Sequence, residues 1–367
     1  MHFPLETPRP ATSVVYQPSI PDWRKASWRS DLGELFRAGI LETTMSYRLR
    51  ECPLCGGQDF VPLLRAKDYH YGNPDEYTQA QCTRCTLAFL DPMYEEEELA
   101  AFYPSDYYAF ADRFSVPEPA RTLKARISGL LSPPEHRTRD PKFDRPGRLL
   151  DIGCGAGWFL FQMRNQGWDV KGVEPNAAAA DFGRSKKGLD IFPGSLMDAN
   201  FPTGMFDYVR MNHSFEHMEH PNQILDEVYR ILAGKGKLMI GVPNRDSFSA
   251  RAFGRFWYHL ALPVHTFSYS VQTLTQMLSK HNFKVEKVVF NTDQTPLLGG
   301  IQIYLNRRSI SPSFQGWLSR SRVATLLSYW AARIQNALRV SDVIEITATK
   351  REDKATFSHQ ENSIDVA

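Results

Sequence analysis

The chain has 367 residues, 42% apolar and 23% charged, which excludes collagen-like, wholly disordered and disulfide-scaffold classes. That length fits about two domains, or one large domain with an appendage. Lys+Arg 43 against Asp+Glu 41 gives a net charge of +2, so no global field points to nucleic acid or an anionic membrane, and only a local patch stays open.

The sequence opens MHFPLETPRP, with prolines and charges where a signal peptide needs an apolar core. No uninterrupted apolar run reaches the ~18 residues of a membrane span, so the expectation is a cytoplasmic protein with no span. Residues 1–45 are rich in proline and polar side chains and read as a poorly ordered arm. Residues 46–110 carry Cys52-Pro-Leu-Cys55, then 26 residues, then Cys82-Thr-Arg-Cys85. Each Cys-x-x-Cys aims two thiolates at one point, and two such knuckles supply the tetrahedral sulfur set that Zn²⁺ prefers. Gly56 and Gly57 permit the first tight turn. A redox pair or free cysteines are the alternatives. With four thiolates no coordination position stays open, so such a zinc is structural. Glu95–Glu98 followed by LAAFY reads as a helix start, because acidic residues suit a helix N-terminus. Phe102, Tyr103, Tyr107 and Tyr108 then form a tyrosine-rich element that either packs or covers a ligand. Residues 111–147, rich in proline and basic residues, read as a linker with a helix near 120–131.

From Arg148 the pattern becomes alternating strands and helices. RLLDIG is a strand ending in a glycine turn, and WFLFQMRNQG a helix closed by Gly167. DVKGVE, LDIFPG, FDYVRMN and GKLMIGVPN are further strands; NAAAADFGRSKK and PNQILDEVYRIL are helices between them. VQTLTQMLSKHNF is a helix, FKVEKVVF a strand, and DVIEITATK the final strand after a helical insertion at about 291–340. The alternation implies a doubly wound α/β, mostly parallel, Rossmann-like sheet over 148–350, preceded by the small zinc ribbon. A polar, poorly ordered tail at 351–367 closes the chain.

The strongest motif is Asp151-Ile-Gly153-Cys-Gly155-Ala-Gly157, between a strand and a helix. Glycines let the backbone turn sharply and approach a ligand closely. A dinucleotide fingerprint reads G-x-G-x-x-G. Here the spacing is G-x-G-x-G with an acid in front, which suits a ligand carrying a cationic amino group and no phosphate. Glu174 ends the next strand, where a carboxylate accepts both hydroxyls of a ribose. Ribose plus a cationic amino acid describes S-adenosylmethionine. On these residues, and on FDYVRMNHSFEHMEHP, LMIGVPN and LPVHTFSYS, the chain resembles the class I S-adenosylmethionine-dependent methyltransferases, most closely the ubiquinone-biosynthesis and sugar-pathway types. The resemblance implies a seven-stranded sheet of order 3-2-1-4-5-7-6 with its last inserted strand antiparallel. It also implies that Asp151, Gly153, Gly155 and Gly157 hold the methionine part and Glu174 the ribose. Ser195 and Leu196 would border the adenine, and Asn212 is grouped with these cofactor contacts.

After the fourth strand come Asn212, His213, Glu216, His217, Glu219 and His220. A hydroxyl acceptor must lose its proton, and a neutral imidazole can take it. His217 is the expected base, with His213 and, from a second loop, His265 positioning the acceptor. Ubiquinone-type relatives read E-x-x-E-H here and are associated with a divalent metal; this chain reads H-x-x-E-H, leaving His213, Glu216 and His217 as a possible metal set. Trp257, Tyr258 and His259 stack on the acceptor or pack. The expected activity is methylation of a small-molecule acceptor, O-methylation of a sugar-derived or quinone-like compound. The alternatives are an RNA methyltransferase gripping RNA with its ribbon, for which the linker at 111–148 is the one basic candidate, and a non-catalytic scaffold. No nucleic-acid partner is expected.

Overall fold

The computed structural model of the chain describes residues 46–70, 72, 75–95, 98–99, 102, 145–308 and 316–351. The arm, Tyr103, Tyr107 and Tyr108, the linker helix and the tail beyond 351 lie outside these residues. The first strands are short: β1 (Ser46–Tyr47), β2 (Phe60–Lys67), β3 (Glu76–Cys82), β4 (Ala88–Leu90) and β5 (Met93–Tyr94). β2, β3 and β4 form an antiparallel meander. The two cysteine pairs flank it, Cys52 and Cys55 before β2, Cys82 at the end of β3 and Cys85 just after.

The second sheet contains β6 (Arg148–Ile152), β7 (Asp169–Glu174), β8 (Asp190–Pro193), β9 (Phe206–Asn212), β10 (Leu232–Pro243), β12 (Phe283–Asn291) and β13 (Val343–Lys350). Its spatial order is β8-β7-β6-β9-β10-β13-β12. Neighbours from β8 to β10 run parallel, and β13 is antiparallel to both β10 and β12. Numbered along the chain, this is the 3-2-1-4-5-7-6 order that the resemblance implied. The central strands β6 and β9 bury nearly every residue, as a sheet covered on both faces requires.

The helices follow local signals. α1 (Trp158–Asn165) starts directly at Gly157. α2 (Ala177–Lys187) begins where the Asn176 side chain accepts from the Ala179 amide, and it ends at a left-handed Gly188. α3 (Pro221–Ile231) has proline in its first turn and buries Leu225, Val228 and Ile231 at helical spacing. α4 (Phe248–Phe253) is one short element, and α5 (Val271–Lys280) opens with a capping box of Ser270 and Thr273. The insertion holds α6 (Thr295–Asn306), α7 (Trp317–Arg320) and α8 (Arg322–Leu338).

The cysteine-bearing segment packs as part of the seven-stranded sheet's own body. β11 (Phe267–Ser268), a two-residue strand from the loop after β10, pairs antiparallel with β4 and becomes the edge of the ribbon sheet. One continuous core runs from Cys52, Leu87 and Phe89 to Ile152, Phe215 and Ile240, and the described residues fall in a single compact unit. Residues 46–102 and the 148–350 sheet thus share packing across the expected boundary. A two-residue strand carries no periodic signal, so the sequence could not announce the join.

Candidate active site

In this sheet the chain reverses direction of growth between β6 and β9, and ligands of open α/β sheets bind at such a switch point beyond the strand C-termini. Four strand ends meet there, those of β6, β7, β9 and β10. After β6, Gly155 turns with φ +54°, a conformation that side chains with a Cβ rarely adopt. A Cβ on Gly153 would lie 2.5 Å from the Cβ of Ser214, whose hydroxyl donates to the Ile152 carbonyl at 2.8 Å. The glycine thus lets the β6 turn and the β9 turn touch.

Glu174, 7% exposed at the end of β7, accepts from the Gly155 amide at 2.7 Å and from the Asn176 amide at 2.9 Å. Burial raises its pKa, and the two amides oppose that shift. A carboxylate has about four acceptor sites, so two lone pairs remain for a diol. Asp151 is 1% exposed and takes both contacts from one Arg210 nitrogen, at 2.9 and 3.0 Å. Burial raises its pKa and the guanidinium counters it. Arg210 also lies 4.0 Å over the Phe159 ring. Asp151 therefore meets a ligand as half of a neutralised pair, which the motif alone did not reveal. The signal was present in the register: Asp151 and Arg210 are direct partners across β6 and β9. Ser195 donates to Asp198 at 2.6 Å, Leu196 is buried, and the Asn212 side chain lies over Gly241 of β10.

The histidines form one cluster drawn from three loops. His213, at φ +54°, has a side chain 39% exposed, and its Nδ1 lies 3.3 Å from Glu216 Oε1. Its ring stacks on His259, centroids 5.8 Å apart. His217 Nδ1 donates to the Val264 carbonyl at 2.8 Å, and its ring meets that of His265 edge-on at 4.7 Å. His265 Nδ1 donates to the His259 carbonyl at 2.8 Å. Desolvation lowers the pKa of His217, and lowers those of His259 and His265 far more. Glu216 is 1% exposed, and neither of its oxygens has a hydrogen bond among the described residues. The same holds for His259 Nε2 and the Tyr269 hydroxyl. Glu216, His217 and His265 bring ligand atoms within 4.8 Å of one another, whereas His213 stands on the outer side of Glu216.

His70, which the motifs did not single out, reaches this cluster from the ribbon: its Nε2 is 2.5 Å from the Tyr258 carbonyl. Trp257 and Tyr258 pack. Trp257 is 4% exposed and its Nε1 donates to buried Asp342, which also accepts from Ser247 and Ser249. His220 is exposed in its loop, beside Glu219, which accepts from Tyr47.

The four cysteines converge as their spacing required. Cys52 and Cys85 sulfurs lie 3.4 Å apart, Cys55 and Cys82 sulfurs 3.5 Å apart, and all four fall within 4.8 Å of one another. Disulfide sulfurs would be about 2.05 Å apart. A tetrahedron with Zn–S of about 2.3 Å has edges of about 3.8 Å, close to what is seen. Burial pushes the Cys52 thiol up to about 11.

Residues 118–288 match the family described as "Methyltransferase domain". Over this stretch the chain is similar to methyltransferase domains. The match ends within β12, whereas the sheet itself continues to β13. Among curated relatives, a probable S-adenosylmethionine-dependent methyltransferase from Mycolicibacterium smegmatis is 29% identical over 38% of this chain and 52% of its own. A ubiquinone biosynthesis O-methyltransferase from Rhodopseudomonas palustris is 27% identical over 41% of this chain and 61% of its own. The chain spans about half the length of the curated relatives it matches, between 37% and 61% for five of them. A solved S-adenosylmethionine-dependent methyltransferase from Archaeoglobus fulgidus covers 62% of this chain and 93% of its own at 22% identity, with a TM-score of 0.40. At that score the class I assignment stands on the strand order, not on the superposition.

Proposed function

We propose that the protein transfers a methyl group from S-adenosylmethionine to the hydroxyl of a small-molecule acceptor, sugar-derived or quinone-like, and that the Cys52, Cys55, Cys82 and Cys85 site holds a structural zinc. The observation that carries the reading is the Gly155–Glu174 pairing at the switch point, where a buried carboxylate and a left-handed turn line one ligand edge.

S-adenosylmethionine supplies an electrophilic methyl on a sulfonium. Glu174 holds the ribose diol through its two remaining lone pairs, and the β6 turn leaves backbone room for the amino-acid part. Asp151, already balanced by Arg210, fixes the turn and offers the amino group a weaker field than a free carboxylate would. Ser195 and Leu196 border the adenine. On the acceptor side, the hydroxyl proton must leave as the oxygen bonds to the methyl carbon and the carbon–sulfur electrons return to sulfur. His213 is favoured as the group that takes this proton, ahead of His217. His213 is exposed to a ligand, and Glu216 lies beside its Nδ1 to stabilise the imidazolium. His217 and His265 are pinned through Nδ1 to carbonyls and kept neutral by burial, which suits positioning. The RNA reading gains nothing from the ribbon, whose buried face is spent on the shared core.

Titration calorimetry with S-adenosylhomocysteine tests the cofactor half. The parent should bind, and Gly155→Val should abolish binding, because a β-branched residue at that φ must rearrange the turn. Equal affinity in parent and variant would overturn the reading.

A further inference from the structure

Helix α8 is built inside out. Its inward face carries Ser328, Ala332 and Gln335, all buried. Ser328 Oγ donates to the Gln294 carbonyl at 2.7 Å and Asn336 Nδ2 to the Thr292 carbonyl at 3.1 Å, so polar bonds hold this face to the body. The outward face carries Val323, Leu327, Trp330, Ile334 and Leu338, 56–69% exposed, with Leu326 at 40%. These positions recur at helical spacing and make one continuous stripe. Trp317 on α7, 67% exposed, extends the apolar surface. Soluble surfaces rarely leave so large a contiguous apolar patch without a partner.

The charge around the stripe says what the partner is. From residue 294 to 341 there is no Asp, Glu or Lys, but there are six arginines: Arg307, Arg308, Arg320, Arg322, Arg333 and Arg339. In a chain of net charge +2 this segment is uniformly basic, and Arg322 and Arg333 within α8, Arg339 at its end and Arg320 on α7 share the elements that bear the apolar, tryptophan-bearing face. Amphipathic helices that lie in a lipid interface have this composition. Two copies meeting through a two-fold patch would bring arginine against arginine with no acid from the same segment to answer it. Among the described residues no helix is long and apolar enough to cross a membrane, so the helix would lie on the surface.

We propose that the outward face of α8, with Trp317, docks on an anionic lipid bilayer. The placement bears on the site: α6, which packs beside α8, also packs through Gly299 on the ring of Tyr258, next to His259. A bilayer held there would sit one helix away from the acceptor loop. The proposal is independent of the methyl-transfer reading, because its test needs no activity.

The test is flotation of the full-length chain with vesicles of phosphatidylcholine alone and with about one-third phosphatidylglycerol. The parent should float with the anionic vesicles and not with the neutral ones, and about 0.5 M salt should weaken the association, since surface charge is screened. Leu327→Glu with Ile334→Glu should abolish flotation. Arg322→Glu with Arg333→Glu should weaken it by at least about twentyfold, roughly fivefold for each arginine lost. All four positions are exposed, and an unchanged melting temperature confirms the fold of each variant. Failure of the parent to float with anionic vesicles would overturn the proposal, as would flotation that both variants retain. A dimer by light scattering that Leu327→Glu splits, without vesicle binding, would assign the face to a second copy instead.

Discussion

The two halves of the site are finished to different degrees. Around the glycine turn the buried carboxylates have hydrogen-bond partners: Glu174 has two amides, and Asp151 has Arg210, whose own Nε is without a hydrogen bond among the described residues. On the acceptor side, Glu216 keeps both oxygens, and His259 its Nε2, without hydrogen bonds among the described residues. Leaving such groups unsatisfied costs about 1–3 kcal/mol each. A fold tolerates that where a ligand completes the set. On the proposed reading, the carboxylates of the cofactor half are held in place before a ligand arrives, while the acceptor half awaits a polar guest.

Zinc loss should have the largest effect. The ribbon reaches the acceptor side through β4–β11 pairing and His70, and it shares a core with Ile152 beside the glycine turn. Elemental analysis should find about one zinc per chain, and Cys52→Ser with Cys82→Ser should remove it. Because the ribbon shares the sheet's core, metal loss should lower a single cooperative melting transition, by several kcal/mol given the energy of structural zinc sites. Two separate transitions, or no stoichiometric metal, would break this part of the account.

Next in size is the base. Once an acceptor is in hand, His213→Ala should slow turnover by about 10²–10⁴-fold. His217→Ala and His265→Ala should raise KM more than they lower kcat, if they position the acceptor. A larger kcat loss in His217→Ala than in His213→Ala would restore the assignment first expected from the H-x-x-E-H pattern. Chelator inhibition reversed by added Mg²⁺, with the ribbon zinc still in place, would instead make Glu216, His217 and His265 a metal set.

The smallest effect is on stability against pH. His217, His259 and His265 have pKa values lowered by burial. Below about pH 6.5 the unfolded chain takes up protons that the folded chain refuses, so stability is lost as pH falls from there toward the folded values. The slope approaches about 1.4 kcal/mol per pH unit for each such histidine. Urea midpoints at about pH 7.5 and 5.5 should show the drop, and His259→Gln should flatten it. Equal slopes in parent and variant would remove His259 from the buried set.

The sheet was legible because its signals are local. β6 to β10, β12 and β13, with α1, α2, α3 and α5, each carry a period, a cap or a glycine turn within about ten residues. The convergence of the two cysteine knuckles and the closeness of the Gly155 turn to Glu174 follow from equally local signals. What escaped depends on contacts between distant segments. Arg210 pairs with Asp151 only once the β6–β9 register is known. The two residues of β11 carry no period, and without β11 the ribbon looked like a separate module. His70 and Asp342 belong to no motif; they matter through Tyr258 and Trp257, which the fold delivers to them. His217 looked like the base because sequence shows position after a strand but not burial.

The division between the halves is tested most directly by one calorimetric comparison, S-adenosylhomocysteine binding to Glu174→Ala and to His213→Ala. Glu174→Ala strips the Gly155 and Asn176 amides of their acceptor and the ribose of its partner, so affinity should fall by about 100-fold or more. His213→Ala should bind within about twofold of the parent, because His213 belongs to the acceptor half. Full affinity in Glu174→Ala, or an equal loss in both variants, would contradict the account.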